Sequence, residues 1–299
     1  MKFLGQTNID FLGMRRYGFV ISGAIILAGL ISLLLQGGPK LGIDFEGGTL
    51  VQIRFNEDAK LPELRRILRN MGFEKSDVQT FGAPNEVLIR IKISQDTETL
   101  VENLENAILE ELPRESPEFR RVETVGPKIG MELRGKAFFA ILTAMIGILI
   151  YISIRFEFKF AIGAIVALVH DVIITLGIFS IMDYEISLAI VAAFLTIVGY
   201  SLNDTIVVFD RIRENIKRLK QESYNTIINR SINQSLSRTI ITSTTTFVVV
   251  FTLYVAGGEV IKYFAFAMII GVIVGTYSSI FIASPVLVLW HERFGEKQR

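Results

Sequence analysis

The sequence contains no cysteine and only two histidines, His170 and His291. A disulfide framework, a thiolate metal site and a cysteine nucleophile are therefore excluded, and two imidazoles are too few for a histidine-rich metal site. The G-x-x-x-x-G-K-[ST], H-E-x-x-H and G-x-S-x-G motifs are also absent, and with them the nucleotide, zinc-protease and serine-hydrolase chemistry that they support. We therefore expect a protein that is not an enzyme and that holds no metal and no cofactor.

An excess of charge of either sign is missing as well. The 31 Lys and Arg residues nearly balance the 30 Asp and Glu residues, which leaves a formal net charge of +1. Proteins that bind nucleic acids need a basic surface to neutralise phosphates. A nucleic-acid partner is therefore not expected.

The charged residues are segregated along the chain. Residues 36–136 hold 15 of the 31 basic and 18 of the 30 acidic residues. Outside this segment lie six nearly uncharged stretches, each close to the ~20 residues that a membrane-spanning helix requires: 17–35, 137–154, 161–182, 186–209, 237–256 and 264–290. The pattern predicts an α-helical polytopic membrane protein with six transmembrane helices and a soluble domain between spans one and two.

This distribution suggests four segments. We expect a tail and the first span over 1–35, an external domain over 36–136, a five-span membrane domain over 137–290 and a second tail over 291–299.

Lysine and arginine in the short loops predict the orientation of the chain. The two tails and the loops at 155–159 and 210–235 together carry 14 of these residues, whereas the loops on the opposite side carry only Lys262. Since loops rich in Lys and Arg stay in the cytoplasm, we expect both termini there and the soluble domain on the far side.

The segment 36–136 has the periodicity of a small α+β domain. Period-2 and helical patterns give the order β-α-β-β-α-β, with a turn at 82–85 and Asp96 as the N-cap of the second helix. The strands are expected at 49–55, 78–81, 86–93 and 120–125, and the helices at 61–71 and around 100–112. The order predicts a ferredoxin-like fold, which hosts many functions. We interpret the domain as an interaction module.

Two glycine-rich segments, 41–49 and 125–133, flank this domain. Glycine permits tight bends and close backbone approach. Gly42, Gly47, Gly48 and Gly126 are therefore candidate hinge residues, although simple linkers would have the same composition.

Ionisable residues inside spans are costly and are functional candidates by default. Span three carries His170 and Asp171 near its middle, and span four carries Asn203 and Asp204. Span five carries Arg238, with Thr242 one turn further along. Because successive spans are antiparallel, Asp204 and Arg238 are expected at similar depth and are plausible partners.

Two interpretations of these residues remain open. Asp204 and Arg238 could form a structural salt bridge, although such a pair gives uncertain net stability once desolvation is counted. Alternatively, Asp204 could carry a proton, because burial disfavours the charged carboxylate while a nearby cation favours it. His170 and Asp171 could support that site or make a hydrogen bond across a helix interface.

Six sequence blocks carry a resemblance to a known family. They are Gly42-Ile-Asp-Phe-Glu-Gly-Gly-Thr49, Val125-Gly-Pro127, His170-Asp171, Val198-Gly-Tyr-Ser-Leu-Asn-Asp-Thr205, Val208-Phe-Asp-Arg-Ile-Arg-Glu-Asn215 and Ser231-Ile-Asn-Gln-Ser-Leu-Ser-Arg-Thr239. Through them the chain resembles the SecD–SecF family of bacterial protein-export membrane proteins, which is similar in turn to RND-type exporters.

The resemblance implies a function and its residues. It implies half of an RND-like assembly in the bacterial inner membrane, completed by six spans of a SecD subunit. That complex would use protons to help preproteins leave the SecYEG channel, with membrane lipid around it. Asp204 and Arg238 match the proton-relay residues of the family, and Asp210 and Arg211 match a cytoplasmic motif.

Two other functions remain open. An RND-type exporter of small molecules or lipids would also have a proton-relay aspartate, but it should have two large external domains on one chain. A purely structural assembly subunit would tolerate the replacement of Asp204 by Asn.

Overall fold

The computed structural model describes residues 7–74, 76–92, 97–112 and 117–294. The chain forms two compact units, one over Leu41–Phe139 and the other over Met1–Lys40 with Ala140–Arg299. The expected N-cap Asp96 and the tail residues Lys2, Lys297 and Arg299 lie outside the described residues.

The unit Leu41–Phe139 contains one four-stranded sheet. Its strands are β1 (Gly48–Arg54), β2 (Asp77–Phe81), β3 (Ala83–Ile91) and β4 (Glu118–Val125), and its helices are α2 (Ile43–Glu46), α3 (Leu61–Asn70) and α4 (Thr97–Glu111). The strand order is β2-β3-β1-β4 and every pairing is antiparallel. This order confirms the ferredoxin-like fold.

The core of this unit follows the alternation of its strands. Val51 of β1 pairs with Ile89 of β3, and both are fully buried together with Leu64 of α3 and Leu104 of α4. Alternate strand residues point to the same face, so one face of the sheet packs against α3 and α4. On the opposite face, Leu50 and Leu88 pack with Ile43 of α2 in a smaller apolar cluster.

Arg90 is a buried cation in β3. It lies opposite Asp77 of β2 and is only 8% exposed. Burial lowers the pKa of the Arg90 guanidinium, and the nearby carboxylates of Asp77, Glu46 and Asp44 oppose this shift. Because a buried charge without compensation is strongly unfavourable, these carboxylates tie β3 to β2 and to α2.

The hairpin between β2 and β3 is tighter than the sequence predicts. Gly82 alone separates the strands, and its φ of +76° lies in the left-handed region that glycine adopts readily. Thr80 and Phe81 show a register shift at the same point. The predicted turn residues 83–85 therefore lie in β3.

The described residues contain the expected six spans. The helices long and apolar enough to cross a bilayer run over Arg15–Leu35, Pro127–Arg155, Phe158–Ile181, Leu188–Arg218, Tyr224–Ala256 and Ile261–Phe294. We number the first five α1, α5, α6, α7 and α8. The sixth comprises α9 (Glu259–Ser278), a π-helical turn (Ser279–Ala283) and α10 (Ser284–Phe294). This arrangement confirms the predicted polytopic helical fold.

Helices α7 and α8 continue well beyond the predicted spans. The segment 210–235, expected as a loop, is helical except for residues 219–223. Arg211–Glu214 and Asp210–Arg213 ion pairs at i,i+3 support the extension of α7. Buried Asn215 on α7 donates to Ser231 of α8 at 2.9 Å. The prediction of a loop over 210–235 was therefore wrong, because it was based only on the charged residues of this segment.

The last span contains a π-helical turn. Pro285 has no N–H to donate to the carbonyl four residues earlier, and the π-helical turn Ser279–Ala283 precedes it. The hydroxyl of Ser284 donates to the carbonyl of Ser279 at 2.8 Å. Such turns are frequent at functional sites, and this one directly follows Ser278.

Glycines bring two pairs of helices into close contact. A Cβ added at Gly271 or Gly275 of α9 would lie within 3.0 Å of Ile197 or Ser201 of α7. Gly29 of α1 similarly meets Gly177 of α6 backbone to backbone. Small residues at such spacing let membrane helices approach closely, so α7 and α9 meet where the polar residues of the spans are found.

Candidate functional site

Asp204 lies inside the membrane unit and is 2% exposed. Its Oδ2 accepts a hydrogen bond from the Ser243 hydroxyl of α8 at 3.1 Å. The Thr242 hydroxyl lies 3.5 Å from Oδ1, but it also donates to backbone carbonyls of its own helix. Asp204 is therefore a buried carboxylate that contacts hydroxyl groups, a setting in which taking up a proton would remove the cost of a buried charge.

A second hydroxyl extends this cluster to α9. Thr276 Oγ1 lies 2.6 Å from Ser243 Oγ and donates to the carbonyl of Val272 at 2.7 Å. Asp204, Ser243 and Thr276 therefore connect α7, α8 and α9 through one short row of polar atoms.

Arg238 lies on the exposed surface of α8, near Asp204 but not bonded to it. Among the described residues, no ion pair within 4.0 Å joins the two side chains, although Arg238 acts electrostatically on Asp204. Arg238 is therefore close to Asp204 without contacting it, and the side chain of α8 that does contact the carboxylate is Ser243.

Asn203 differs from its neighbour Asp204. It is exposed on α7, in line with exposed Thr196 and Gly199, and does not face the Asp204 carboxylate. A polar amide exposed within a membrane span is unfavourable against lipid. Asn203 and Arg238 therefore mark a surface of α7 and α8 that needs a polar or wet neighbour.

Asp171 of α6 is the centre of a second buried cluster. Its side chain is completely buried. Oδ1 lies 2.8 Å from Nδ1 of His170, while Oδ2 accepts from Ser201 of α7 at 2.5 Å and from Ser278 of α9 at 2.8 Å. The expected interhelical hydrogen bonding of this pair is thus present, and it involves three helices.

The cluster continues from His170 to α1. His170 Nε2 lies 2.9 Å from Ser22 Oγ, and Ser22 Oγ lies 3.1 Å from Tyr277 Oη. Tyr277 donates to the carbonyl of Gly18 at 2.6 Å, and its ring stacks on His170. An unbroken row of polar groups therefore runs from Asp171 to the first helix.

Sequence reasoning missed the hydroxyl residues of both clusters: Ser22, Ser201, Ser243, Thr276, Tyr277 and Ser278. Serine and threonine are common in membrane helices because they also bond to their own backbone, so their presence alone is not informative. The available signal was spacing, since Ser201 lies one turn before Asp204 and therefore on the same face of α7.

Asp210 and Arg211 lie further along α7, in its extension. Asp210 Oδ1 contacts Arg213 at 3.1 Å and Arg155 at 3.9 Å, and Arg213 also donates to the carbonyl of Arg155 at 3.1 Å. Arg211 pairs with Glu214 at 2.7 Å. These contacts hold α7 to the connection between α5 and α6.

An unexpected polar clamp holds the chain before α1. Asn233 of α8 accepts from the amide of Ile9 at 2.9 Å and donates to its carbonyl at 2.8 Å. Asn229, one turn earlier, donates to the same carbonyl and accepts from the amide of Leu12 at 3.2 Å. Two side-chain amides therefore bind the N-terminal segment as a neighbouring strand would.

The glycine-rich segments pack against each other. Gly47 and Gly48 have φ values of +78° and +127°. A Cβ at Gly47 would lie 2.8 Å from Pro127 Cα, and one at Gly130 would lie 2.9 Å from the Phe45 carbonyl. By contrast, a Cβ at Gly126 would meet nothing within 4 Å. Gly42 is the N-cap of α2. The hinge role of these glycines stays a prediction, with close packing now established at Gly47.

These features define a six-span membrane protein with an α+β unit and two buried carboxylates in its spans. The family model for the protein export membrane protein SecD/SecF, C-terminal region, matches residues 105–293. The model for the SecD/SecF GG motif matches residues 32–59. The chain belongs to the SecD/SecF family of protein-export membrane proteins, whose members are translocase subunits and not enzymes.

Individual relatives are similar over almost the whole chain. The protein translocase subunit SecF of Calditerrivibrio nitroreducens is 52% identical over 95% of this chain and 94% of its own length. That of Thermodesulfovibrio yellowstonii is 47% identical over 97% of both chains. The crystal structure of the translocon-associated protein SecDF from Thermus thermophilus matches with a TM-score of 0.86 and 38% identity. This match covers 96% of the present chain and 39% of the SecDF chain.

Proposed function

We propose that this chain is the smaller half of a proton-driven accessory complex of the Sec translocase. In this complex, a SecD-type subunit supplies six further spans, and the complex promotes preprotein movement through and away from a SecYEG channel. The chain would lie in the bacterial inner membrane with both termini in the cytoplasm and the domain 36–136 outside. The observation that carries the proposal is the burial of Asp204 among hydroxyl groups within a span.

The chemistry of Asp204 supports a proton-carrying role. A buried carboxylate that accepts from Ser243 is unfavourable in hydrocarbon unless it is paired with a cation or takes up a proton. Arg238 acts on it electrostatically, but among the described residues no ion pair within 4.0 Å joins the two side chains. A modest movement of Arg238 or of α8 would therefore change the balance between the two protonation states of Asp204.

The exposed polar residues of α7 and α8 support a partner within the membrane. Asn203, Thr196 and Gly199 share one face of α7, while Arg238 and Thr245 share one face of α8. Small residues allow close helix approach, and polar side chains form hydrogen bonds between helices. The match to 39% of a SecDF chain supports a SecD-type half as the occupant of this surface.

The available energy is sufficient for a conformational change. A proton that crosses 100 mV supplies about 2.3 kcal/mol, enough to shift a two-state equilibrium by more than tenfold. The ferredoxin-like unit has its own core and is suited to respond as one body. We infer that proton passage at Asp204 changes the orientation of this unit during export.

The proposal is tested by preprotein translocation in membrane vesicles that contain the chain, its SecD-type partner and the channel. Asp204→Asn should abolish the stimulation that depends on the proton-motive force, because an amide of equal size cannot carry the proton. The matched control is Glu157→Gln, which removes an exposed carboxylate between α5 and α6 and should leave stimulation unchanged. Undiminished stimulation with Asp204→Asn at normal abundance would leave only a structural role.

A further inference from the structure

A second titratable pair lies in the membrane unit, and its partner Ser201 lies one turn before Asp204 on α7. His170 and Asp171 are both buried, and their side chains contact each other at 2.8 Å. Their neighbours on the other helices are Ser22 of α1, Ser201 of α7, and Tyr277 and Ser278 of α9. Tyr277 is the one other titratable group in contact with the pair among the described residues.

The direction of the hydrogen bonds follows from counting hydrogens. The carbonyl of Gly18 is only an acceptor, so the single hydroxyl hydrogen of Tyr277 points to it. Tyr277 Oη must then accept from Ser22, which uses the single hydroxyl hydrogen of Ser22. Ser22 Oγ is consequently the acceptor in its 2.9 Å contact with His170. His170 Nε2 therefore carries a hydrogen.

This assignment determines what lies between His170 and Asp171. If the ring is neutral with its hydrogen on Nε2, then Nδ1 is a lone pair facing Oδ1 at 2.8 Å, and Asp171 must supply a proton. If the ring is charged, Nδ1 supplies it. Both arrangements contain one proton in this contact, and both leave the pair with no net charge, which avoids a lone buried charge.

We propose that His170 and Asp171 form a second proton-binding site of the membrane unit, in which one proton is shared between Nδ1 and Oδ1. Ser201 and Ser278 hold the other carboxylate oxygen through α7 and α9. When the shared proton is released, lone pairs of Nδ1 and Oδ1 face each other unless the ring hydrogen moves from Nε2 to Nδ1. That move makes Nε2 an acceptor, and the hydrogen bonds from His170 through Ser22 to Tyr277 then reverse their direction. Proton occupancy is therefore linked to the contact of α1 with α6 and α9.

The site is tested by ¹⁵N NMR of histidine-labelled protein in lipid bilayers. The chain has only two histidines, and His291→Gln removes the exposed one, so that the remaining signals report His170. We expect a protonated Nε2, together with either a protonated Nδ1 or an infrared carboxylic-acid band that Asp171→Asn removes. An unprotonated Nε2, or an unprotonated Nδ1 without that band, would overturn the proposal.

Two variants should change the hydrogens on the His170 ring nitrogens, which a merely structural role of the pair would not predict. Asp171→Asn should retain the hydrogen on Nε2 and leave Nδ1 unprotonated, because the amide then donates to it. Tyr277→Phe removes the acceptor of the Ser22 hydrogen and allows Ser22 to donate to Nε2, so Nε2 should lose its hydrogen, whereas Ser32→Ala, at a separate contact of α1 with α6, should leave that hydrogen in place. A hydrogen retained on Nε2 in Tyr277→Phe would contradict the proposed row of hydrogen bonds. These measurements need no export activity, so they succeed or fail independently of the proposed function.

Discussion

Ser201 and Asp204 lie three positions apart on α7 and belong to two different polar clusters. Ser201 donates to Asp171 of α6, whereas Asp204 accepts from Ser243 of α8. Both clusters also reach α9, through Ser278 and Thr276. A displacement of α7 against α9 would therefore alter both carboxylates, and the close packing at Gly275 leaves little room for a displacement that affects only one.

The orientation of the chain is tested by labelling single cysteines, which is straightforward because the chain has none. A cysteine at exposed Glu105 of α4 should react with a membrane-impermeant thiol reagent in intact cells with a permeabilised outer membrane. A cysteine at exposed Lys217 of α7 should react only after the inner membrane is opened. The reverse pattern would show that the loop charges predict the wrong orientation.

Gly47→Ala should destabilise the α+β unit Leu41–Phe139. The backbone angles of Gly47, φ +78° and ψ +169°, lie in a region essentially restricted to glycine and cost an L-residue roughly 1–3 kcal/mol, and the added Cβ would lie 2.8 Å from the backbone of Pro127. Hydrogen exchange of peptides from β1 and β4 should be faster in this variant. The matched control is Gly126→Ala, where a Cβ meets nothing within 4 Å. Equal protection in both variants would show that the close contact at Gly47 is not needed.

Asn233→Ala should release the segment before α1. The change removes two hydrogen bonds to the backbone of Ile9, each worth about 1 kcal/mol. A cysteine placed at Thr7 should then be labelled several-fold faster than in the parent. Asn225→Ala, at an exposed position of the same helix, should have no such effect. If both variants label at the parent rate, the clamp contributes nothing to the position of this segment.

The sequence predicted most of the helices and strands but few of the contacts between them. Period-2 alternation predicted strands such as Thr49–Phe55, and the cost of charge in hydrocarbon identified Asp204 and Arg238. The helical extension beyond Asp210 was missed because charged residues were assigned to a loop, although their i,i+3 pairs stabilise a helix.

The contact partners were inaccessible for a different reason. The approach of Gly47 to Pro127 joins residues far apart in sequence, and no local pattern encodes it. The contact of Asp204 with Ser243 depends on the rotation of α8 about its axis, which the apolar pattern of a span with many exposed residues does not determine.

Proton entry into sealed liposomes tests the central role of Asp204 most directly. The chain and its SecD-type partner would be reconstituted with a pH-sensitive dye inside, and a pH gradient and membrane potential would be imposed. The account predicts that the parent complex acidifies the interior, that Glu157→Gln does so at the same rate, and that Asp204→Asn reduces the rate to that of empty liposomes. Acidification by Asp204→Asn at the parent rate would contradict the account.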